Sequence, residues 1–270
     1  MIYILGDPTD FCYAYDYFIS ILSNCRKKIH FVICQDREKV SKWFERQVSQ
    51  YENHRYLFLG DDYGITIEDP KHVFILNTKK LSDPIQKNKI ETFSQKYKII
   101  DFSLGNTQLV PAIYLPYQVN RVEIRNMPKT NNICFVGNRS PNRDAVLNHP
   151  DLNVVIINDW QRSRDLALFQ YKILLNIHMD DSNRIHEEMR VNRCVMNQMI
   201  VLSEPSDNDH LLYLKDYIVF CPRDQMVSKV QEILSDYSNY HSQLFANFDI
   251  QTIKEHYKEK MTDTWSQILE

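Results

Sequence analysis

The sequence lacks several of the patterns by which large classes of protein are recognised. Only 5 of its 270 residues are glycine, and neither the G-x-G-x-x-G fingerprint of dinucleotide-binding folds nor a P-loop occurs. No run of 18 apolar residues is present, so we expect no transmembrane helix. The first ten residues, MIYILGDPTD, are too short and end too acidic for a signal peptide, which indicates an intracellular protein.

An excess of positive charge is also missing. The sequence has 32 Lys and Arg residues against 35 Asp and Glu residues, with a formal charge of -3 and a pI near 6.3. Proteins that bind nucleic-acid phosphates usually present a clear excess of Lys and Arg on one face. We therefore expect no nucleic acid among the partners.

Catalytic or metal-binding motifs built on cysteine or serine are also absent. The 6 cysteines lie in apolar segments without a C-x-x-C pair or the spacing of a metal site, which predicts reduced thiols. The G-x-S-x-G elbow of many serine hydrolases does not occur. Thiol redox chemistry and elbow-type hydrolysis therefore have no support in the sequence.

What the sequence does contain is a regular alternation of strand and helix patterns. Apolar runs rich in β-branched and aromatic residues predict buried strands at 2–5, 29–34, 56–60, 72–77, 97–102, 112–117, 132–137, 153–158, 172–178, 199–204 and 217–222. Amphipathic stretches predict helices at 11–25, 36–50, 83–95, 142–148, 162–170, 184–197, 208–215, 224–237 and from about 250. This order is typical of α/β proteins with mostly parallel sheets covered on both faces.

A polar stretch at 120–132 interrupts the alternation and predicts a linker between two Rossmann-like domains. We expect an N-terminal domain over residues 1–122 and a C-terminal domain over 130–249. The remaining 250–270 segment predicts a helix with one apolar face, and that face needs a partner surface. Its apolar residues are Ile253, Tyr257, Met261, Trp265 and Ile268.

Ligands of such sheets bind beyond the carboxyl ends of the strands, so the residues that follow each strand are the candidates for function. Gly137, Asn138 and Arg139 follow the first strand of the C-terminal domain. A glycine permits close approach of the backbone, and the start of the next helix offers free N–H groups to an anion. His178 closes a later strand and is expected at the same edge.

The helix predicted at 184–197 carries Glu188, Arg190 and Arg193. One interpretation is that these residues form a charged face in contact with water. The other is that the helix contributes to a crevice, because the next strand ends in Ser203 and Glu204 at the edge where His178 is expected. Both interpretations stay open at this point.

The pattern N-I-H, E-x-R and V-x-S-E, which runs from 176 to 204, resembles the donor-binding half of glycosyltransferases of the GT-B fold. The resemblance is to bacterial and giant-virus-like members. It implies two Rossmann-like domains that face each other, with a nucleotide-sugar in the second and the acceptor in the first. It also implies that the last helix crosses back to pack on the N-terminal domain.

The same resemblance assigns the donor site. It places Glu204 near the ribose or the sugar, and Arg190 at the diphosphate. The family's common pair of glutamates eight positions apart is not reproduced, which leaves open whether the configuration at the sugar is retained. Together with the strand-end residues, the expected donor-binding set is Gly137, Asn138, Arg139, Glu188, Arg190, Ser203 and Glu204.

Glycosyl transfer needs positive groups beside the leaving diphosphate and a base for the acceptor hydroxyl. His178 is the expected catalytic residue near the diphosphate, and Asp10 is the expected base. Asp10 has an alternative role, because G-D-P-T-D also has the pattern of a turn and a helix N-cap. Asp61 and Asp62, which follow the third strand, are further carboxylates at that edge.

We expect no metal site. The D-x-D pattern at 207–209, which in other glycosyltransferases holds a divalent ion, occurs at the predicted start of a helix, where acidic residues complement the helix dipole. The same explanation applies to Asp180 and Asp181. The sequence therefore predicts chemistry without a metal or other cofactor.

The function that follows is a hexosyltransferase-like glycosyltransferase, which moves a sugar from a nucleotide-diphosphate donor to a hydroxyl of a glycan or glycoprotein. The alternative is a non-catalytic two-domain protein that binds a nucleotide or a sugar. We expect a cytoplasmic protein, in the host cytoplasm if the source is a virus, and leave a peripheral membrane contact open.

Overall fold

The computed structural model describes residues 1–48, 50–51, 53–60, 64, 70–125, 127–159, 161–182 and 184–270. The chain divides into two compact units. Unit 1 comprises Met1–Gln118 with Glu255–Glu270, and unit 2 comprises Val119–Lys254. Among the helices described, none combines the length and the apolar character needed to span a membrane.

Unit 1 contains a sheet of six parallel strands: β1 (Ile2–Gly6), β2 (Ile29–Ile33), β3 (Arg55–Leu59), β4 (Val73–Asn77), β5 (Lys98–Asp101) and β6 (Ile113–Tyr114). Its spatial order is β2-β1-β3-β4-β5-β6. The connecting helices are α1 (Pro8–Tyr13), α2 (Tyr15–Asn24), α3 (Arg37–Val48), α4 (Pro84–Ser94) and α5 (Leu104–Thr107). Every residue of β3 and β4 is buried, as expected for central strands covered on both faces.

The helix expected at 11–25 begins earlier and is divided. The Asp7 carboxylate accepts hydrogen bonds from the backbone N–H groups of Thr9 and Asp10, so α1 begins at Pro8. At Ala14 the backbone leaves helical geometry, with φ at -95° and ψ at 11°, and α2 starts after it. The predicted cap is therefore present at the end of β1.

The C-terminal helix α11 (Ile250–Leu269) belongs to unit 1 from Glu255 onward. Arg55 donates to the carbonyl oxygens of Ile268 and Leu269 at 2.9 and 2.7 Å, and Thr264 donates to the carbonyl of Tyr114 at 2.8 Å. Since the last carbonyls of a helix have no partner within it, Arg55 satisfies two groups that burial would otherwise leave unpaired. The apolar stripe of α11 is buried as predicted: Ile253, Tyr257, Met261, Trp265 and Ile268.

Unit 2 contains five parallel strands: β7 (Asn131–Val136), β8 (Val154–Ile157), β9 (Tyr171–Asn176), β10 (Ile200–Ser203) and β11 (Ile218–Phe220), in the order β11-β10-β9-β7-β8. Its helices are α6 (Pro141–Leu147), α7 (Gln161–Leu168), α8 (Glu188–Met196), α9 (Met226–Ser235) and α10 (Tyr237–Leu244). The predicted class, α/β with two parallel Rossmann-like sheets and a C-terminal helix, is confirmed.

The helices of unit 2 differ from the predicted ones in three places. The helix expected at 184–197 begins only at Glu188. The one expected at 208–215 is replaced by short 3-10 turns; Leu212 and Leu214 are both buried, and a spacing of two does not fit one face of an α-helix. Helix α10 was not predicted; none of its residues is fully buried, and its inward face is formed by the half-buried Tyr237, Tyr240 and Leu244.

Candidate functional site

The strand order of unit 2 reverses between β7 and β9. After β7 the chain forms β8 on one side, and it then returns to form β9 on the other side. The loops that leave the two carboxyl ends therefore diverge, and the crevice between them is where doubly wound sheets bind their ligands. The loop after β7 begins with Gly137, and the loop after β9 leads to His178.

Arg143, in the first turn of α6, reaches into this crevice. Its Nε donates to the carbonyl oxygen of Ile177 at 3.0 Å, and its Nη1 donates to that of Asn138 at 2.7 Å. The guanidinium carbon lies 5.2 Å from the centre of the Phe135 ring. These contacts hold a long side chain in one orientation, between the loop after β7 and the loop after β9.

Arg190, on α8, reaches the same place from the other side. It donates to the carbonyl oxygen of Val136 and, at 2.8 Å, to Oδ1 of Asn176. Its guanidinium carbon also lies over the Phe135 ring, 5.9 Å from the centre. We call Arg143 and Arg190 the arginine pair.

Gly137 makes room for the arginine pair. Its φ is +137°, where residues with a side chain are rarely found. A Cβ at this position would lie 2.9 Å from Nη1 of Arg190 and 3.6 Å from Nη1 of Arg143. The glycine expected to allow close backbone approach therefore allows the close approach of two guanidinium groups.

The two members of the arginine pair differ in their carboxylate contacts. Arg190 has a carboxylate partner, Glu187, at 3.5 Å, but within the described part of the chain Arg143 pairs with none. Arg143 is only 5% exposed. Burial, with the repulsion of Arg190 as the next cause, lowers the pKa of Arg143 to about 10. The charges of Glu187, Glu204 and Asp180 raise this pKa, but by less than burial and Arg190 lower it. A buried cation without a carboxylate in direct contact is costly, so this position favours an anion.

Glu204 follows β10 and is engaged on both oxygens. Oε2 accepts from the backbone N–H of His178 at 2.6 Å, and Oε1 accepts from Nε of Arg223 at 2.8 Å. Arg223 in turn donates through Nη2 to Asp181 at 2.5 Å. Burial opposes the charge of Arg223, but its bonds to Asp181 and Glu204 outweigh this effect and raise the pKa of the guanidinium.

A cavity of about 740 Å³ lies at this edge of the sheet, within the size range of small-molecule sites, and the arginine pair is not among its lining residues. His178, Asp181, Glu204 and Arg223 all contribute to its walls. The His178 ring is buried, with Nε2 at 3.2 Å from the carbonyl oxygen of Pro205. A carbonyl can only accept, so the tautomer with a proton on Nε2 satisfies this contact.

Asn176, the last residue of β9, connects several of the predicted donor residues. Its side chain accepts from Arg190 and donates to Oγ of Ser203 at 2.8 Å, while its carbonyl accepts the backbone N–H of Glu204 at 3.0 Å. The structure thus brings Arg190, Ser203 and Glu204 together around one buried amide. The role of these residues in donor binding stays a prediction.

Arg139 is directed elsewhere. Its guanidinium bonds Asp144 at 2.7 Å and Asn148 at 2.6 Å along α6, and its side chain is 48% exposed. The surface carboxylate of Asp144 therefore neutralises the charge of Arg139, which distinguishes Arg139 from Arg190. Its role as a donor-binding residue stays a prediction.

The interpretation of α8 as a water-exposed charged face is wrong. Glu188 and Arg193 are each 2% exposed. Arg193 forms ion pairs with Glu123 at 3.1 Å and Asp165 at 2.9 Å, so the helix buries charge by pairing it.

In unit 1, the expected base Asp10 lies at the carboxyl edge of β1. Its carboxylate is 3.4 Å from Nζ of Lys79, and its side chain is 20% exposed. Asp10 is thus accessible and beside a cation, and its role as base stays a prediction. Asp61 and Asp62 lie outside the described residues.

The acidic pairs 207–209 and 180–181 make both local and long-range contacts. Asp209 accepts from the backbone N–H of Ser206 at 2.6 Å, and Asp180 accepts from the backbone N–H of Ser182 at 3.0 Å. Asp207 pairs with Arg184 at 3.3 Å, Asp209 lies 3.5 Å from His186, and Asp181 bonds Arg223. Within the residues that the structure describes, no three His, Cys, Asp or Glu side chains are grouped so that they could hold a metal ion.

No family model matches the chain. Among proteins of Acanthamoeba polyphaga mimivirus, L140 is 31% identical over 200 residues, which cover 68% of this chain and 66% of L140. R358 is 30% identical over 193 residues, which cover 67% of this chain and 69% of R358. The chain belongs to the R358 family. Another mimivirus relative, L138, is much longer, since the match covers 70% of this chain but 23% of L138.

Solved structures show the fold of this R358-family chain. T4 phage BGT in complex with UDP and Mn²⁺ aligns over 100% of both chains with a TM-score of 0.61 and 12% identity. A mutant of T4 phage BGT in complex with UDP-glucose aligns over 100% of both chains with a TM-score of 0.58 and 13% identity. These neighbours are GT-B glycosyltransferases, so the fold expected from the resemblance is confirmed.

Two residues of the site were not predicted. Arg223 follows β11 at the same carboxyl edge, so the rule that selected His178 and Glu204 selects it as well. Arg143 has no comparable signal, because nothing in a helical first turn distinguishes an arginine that turns inward from one that faces water.

Proposed function

We propose that the protein is a glycosyltransferase whose nucleotide-diphosphate sugar binds at the reversal of strand order in unit 2. The observation that carries this proposal is the arginine pair, which is buried at the end of β7 and includes one guanidinium with no carboxylate partner among the described residues. A diphosphate would supply negative charge in direct contact with the pair. The GT-B fold adds support, because the fold neighbours were solved with UDP and UDP-glucose.

The arginine pair suits the chemistry of a leaving diphosphate. Negative charge grows on the diphosphate as the bond to the sugar breaks, and fixed positive groups in a water-poor site stabilise that charge. Arg143 is held by two backbone carbonyls and Arg190 by Val136 and Asn176, so little reorganisation is needed. Guanidinium groups also match the geometry of phosphate oxygens.

The other predicted residues complete the proposal. Gly137 and Asn138 would approach the phosphates through the loop after β7, and Glu188, Ser203 and Glu204 would hold the ribose and sugar side. His178 would assist the leaving group, and Asp10 would take the proton from a glycan or glycoprotein hydroxyl. We propose that the arginine pair replaces a divalent metal, although one BGT complex contains Mn²⁺.

The test is transfer from UDP-, GDP- and TDP-sugars to a panel of glycan acceptors, with and without EDTA. We expect turnover with at least one donor, equal rates in EDTA, and a loss of about tenfold or more in kcat/KM for Arg143→Lys, because a single ammonium cannot reproduce the fork of a guanidinium. Saturable binding of UDP without turnover on any acceptor would instead support the non-catalytic binding protein. Inhibition by EDTA would refute the metal-free mechanism.

A further inference from the structure

Arg223 is held in the wall of the cavity by two carboxylates of different character. Glu204 is buried, with its side chain 8% exposed, and it is itself fixed by the backbone N–H of His178. Asp181 is 81% exposed and reaches Arg223 from the loop after β9. Glu204 is therefore a fixed, buried part of the site, and Asp181 is a surface group that extends into it.

The Glu204 contact sets the direction of the guanidinium. Glu204 binds Nε, on one edge of the guanidinium, and leaves the end formed by Nη1 and Nη2 to other groups. Nη2 donates to Asp181, and within the described residues Nη1 makes no hydrogen bond. The two parallel N–H groups at the end of a guanidinium are suited to bidentate recognition of an anion.

Asp181 can leave Arg223 at small cost. Exposed ion pairs contribute little to stability, because water solvates both partners well when they separate. Asp181 also accepts from Nδ2 of Asn142 at 3.0 Å, so it keeps one partner if Arg223 turns to another anion. A carboxylate and a phosphate oxygen offer the same kind of charge-assisted bond to a guanidinium.

We propose that, in the free protein, Asp181 binds the N–H groups of Arg223 that an anionic group of the donor would bind. Asp181 thereby weakens donor binding. This inference rests on the proposed donor site. Arg223 is then a ligand-contacting residue that Glu204 positions, and Asp181 is a built-in competitor. Binding of a nucleoside diphosphate displaces Asp181 from Nη2 and releases its carboxylate to water and Asn142.

The test is titration calorimetry of the full chain with UDP, comparing Asp181→Asn with Asp224→Asn. Asp224 is exposed and lines the same cavity, but forms no ion pair among the described residues, so both variants remove one negative charge from one wall. Only Asp181→Asn removes the competitor of Arg223. We expect its Kd for UDP to be about two- to fivefold lower than that of Asp224→Asn, which is the range for an exposed ion pair.

A second measurement follows Asp181 directly. In the free protein the hydrogen bond from Arg223, followed by the attraction of its charge, lowers the pKa of Asp181. If UDP binds Arg223 in place of Asp181, the pKa of Asp181 rises toward its ordinary value when the protein is saturated with UDP. This pKa is measured by NMR on the carboxyl carbon. A pKa that stays low in the complex would overturn the inference.

The outcomes separate the inference from the proposed function. UDP binding of the wild type with equal Kd values for Asp181→Asn and Asp224→Asn, or a weaker Kd for Asp181→Asn, overturns the competition and leaves the donor site intact. No binding of UDP, GDP or TDP by the wild type or by Asp181→Asn overturns the donor site and the competition together.

Discussion

Substitution of Gly137 by alanine probes the candidate site through a single methyl group. The backbone cost of placing a side chain at φ +137° is about 1–3 kcal/mol. The new Cβ would also lie 2.9 Å from Nη1 of Arg190, so the guanidinium has to move by a few tenths of an ångström. That movement weakens its bonds to Val136 and Asn176, each of which is a hydrogen bond from a charged group.

Gly60→Ala provides the matched control. Gly60 also has a positive φ, +59°, but nothing lies within 4 Å of a Cβ built there. Urea denaturation should show both variants destabilised, by about 1–3 kcal/mol from backbone strain. Only Gly137→Ala should also bind UDP more weakly in titration calorimetry, by roughly tenfold if about 1.4 kcal/mol of guanidinium interaction is lost.

A particular pair of results would refute this reasoning. If Gly137→Ala and Gly60→Ala lost similar stability and bound UDP as tightly as the wild type, the contact between the loop and Arg190 would have no part in ligand binding. If Gly137→Ala lost no stability, the conformation of the loop after β7 would itself be in question.

The remaining predictions concern stability. Arg193→Met should lower the free energy of unfolding by about 3–5 kcal/mol in urea denaturation, because Glu123 and Asp165 lose a buried cation, although Asp165 keeps Arg164 at 2.7 Å. An effect below about 1 kcal/mol would show that water reaches these carboxylates. Unfolding of the wild type should become easier as the pH falls below about 6.5, because burial, followed by the chain amino group and His30, lowers the pKa of His54 in the folded state. The stability from this group is complete above about pH 6.5 and is lost as the pH falls toward the lower folded pKa. His54→Gln should flatten that part of the pH profile, and an unchanged profile would assign the acid sensitivity to another group.

The strands were predictable from the sequence because central parallel strands are apolar on both faces. The run predicted at 172–178 is β9, Tyr171–Asn176, and the run at 72–77 is β4, Val73–Asn77. Helix limits were less predictable, since they depend on contacts that the local pattern does not contain. The division of the first helix at Ala14 and the late start of α8 at Glu188 are examples.

The site was predictable where topology alone determines position. Any residue directly after a parallel strand lies at the ligand edge, which is why His178 and Glu204 are found beside one cavity. The partners of these residues were not predictable. That Glu204 accepts from Arg223 and from the backbone of His178 depends on the spacing of three strands and on the direction of two side chains.

Arg190 and Arg193 on α8 show what separates a structural arginine from a candidate ligand-binding one. They are three positions apart on one helix, yet Arg193 is paired with two buried carboxylates, whereas Arg190 bonds a carbonyl and an amide and has its one carboxylate at 3.5 Å. Both arrangements hold the guanidinium by hydrogen bonds, although Nε of Arg190 is buried and has no partner among the described residues. Only the first arrangement pairs the charge with two carboxylates. Hydrogen bonds to neutral groups leave an arginine oriented and still positive, which is the state that a diphosphate site requires. The proposed role of the arginine pair therefore rests on the identity of the acceptor groups rather than on the depth of burial.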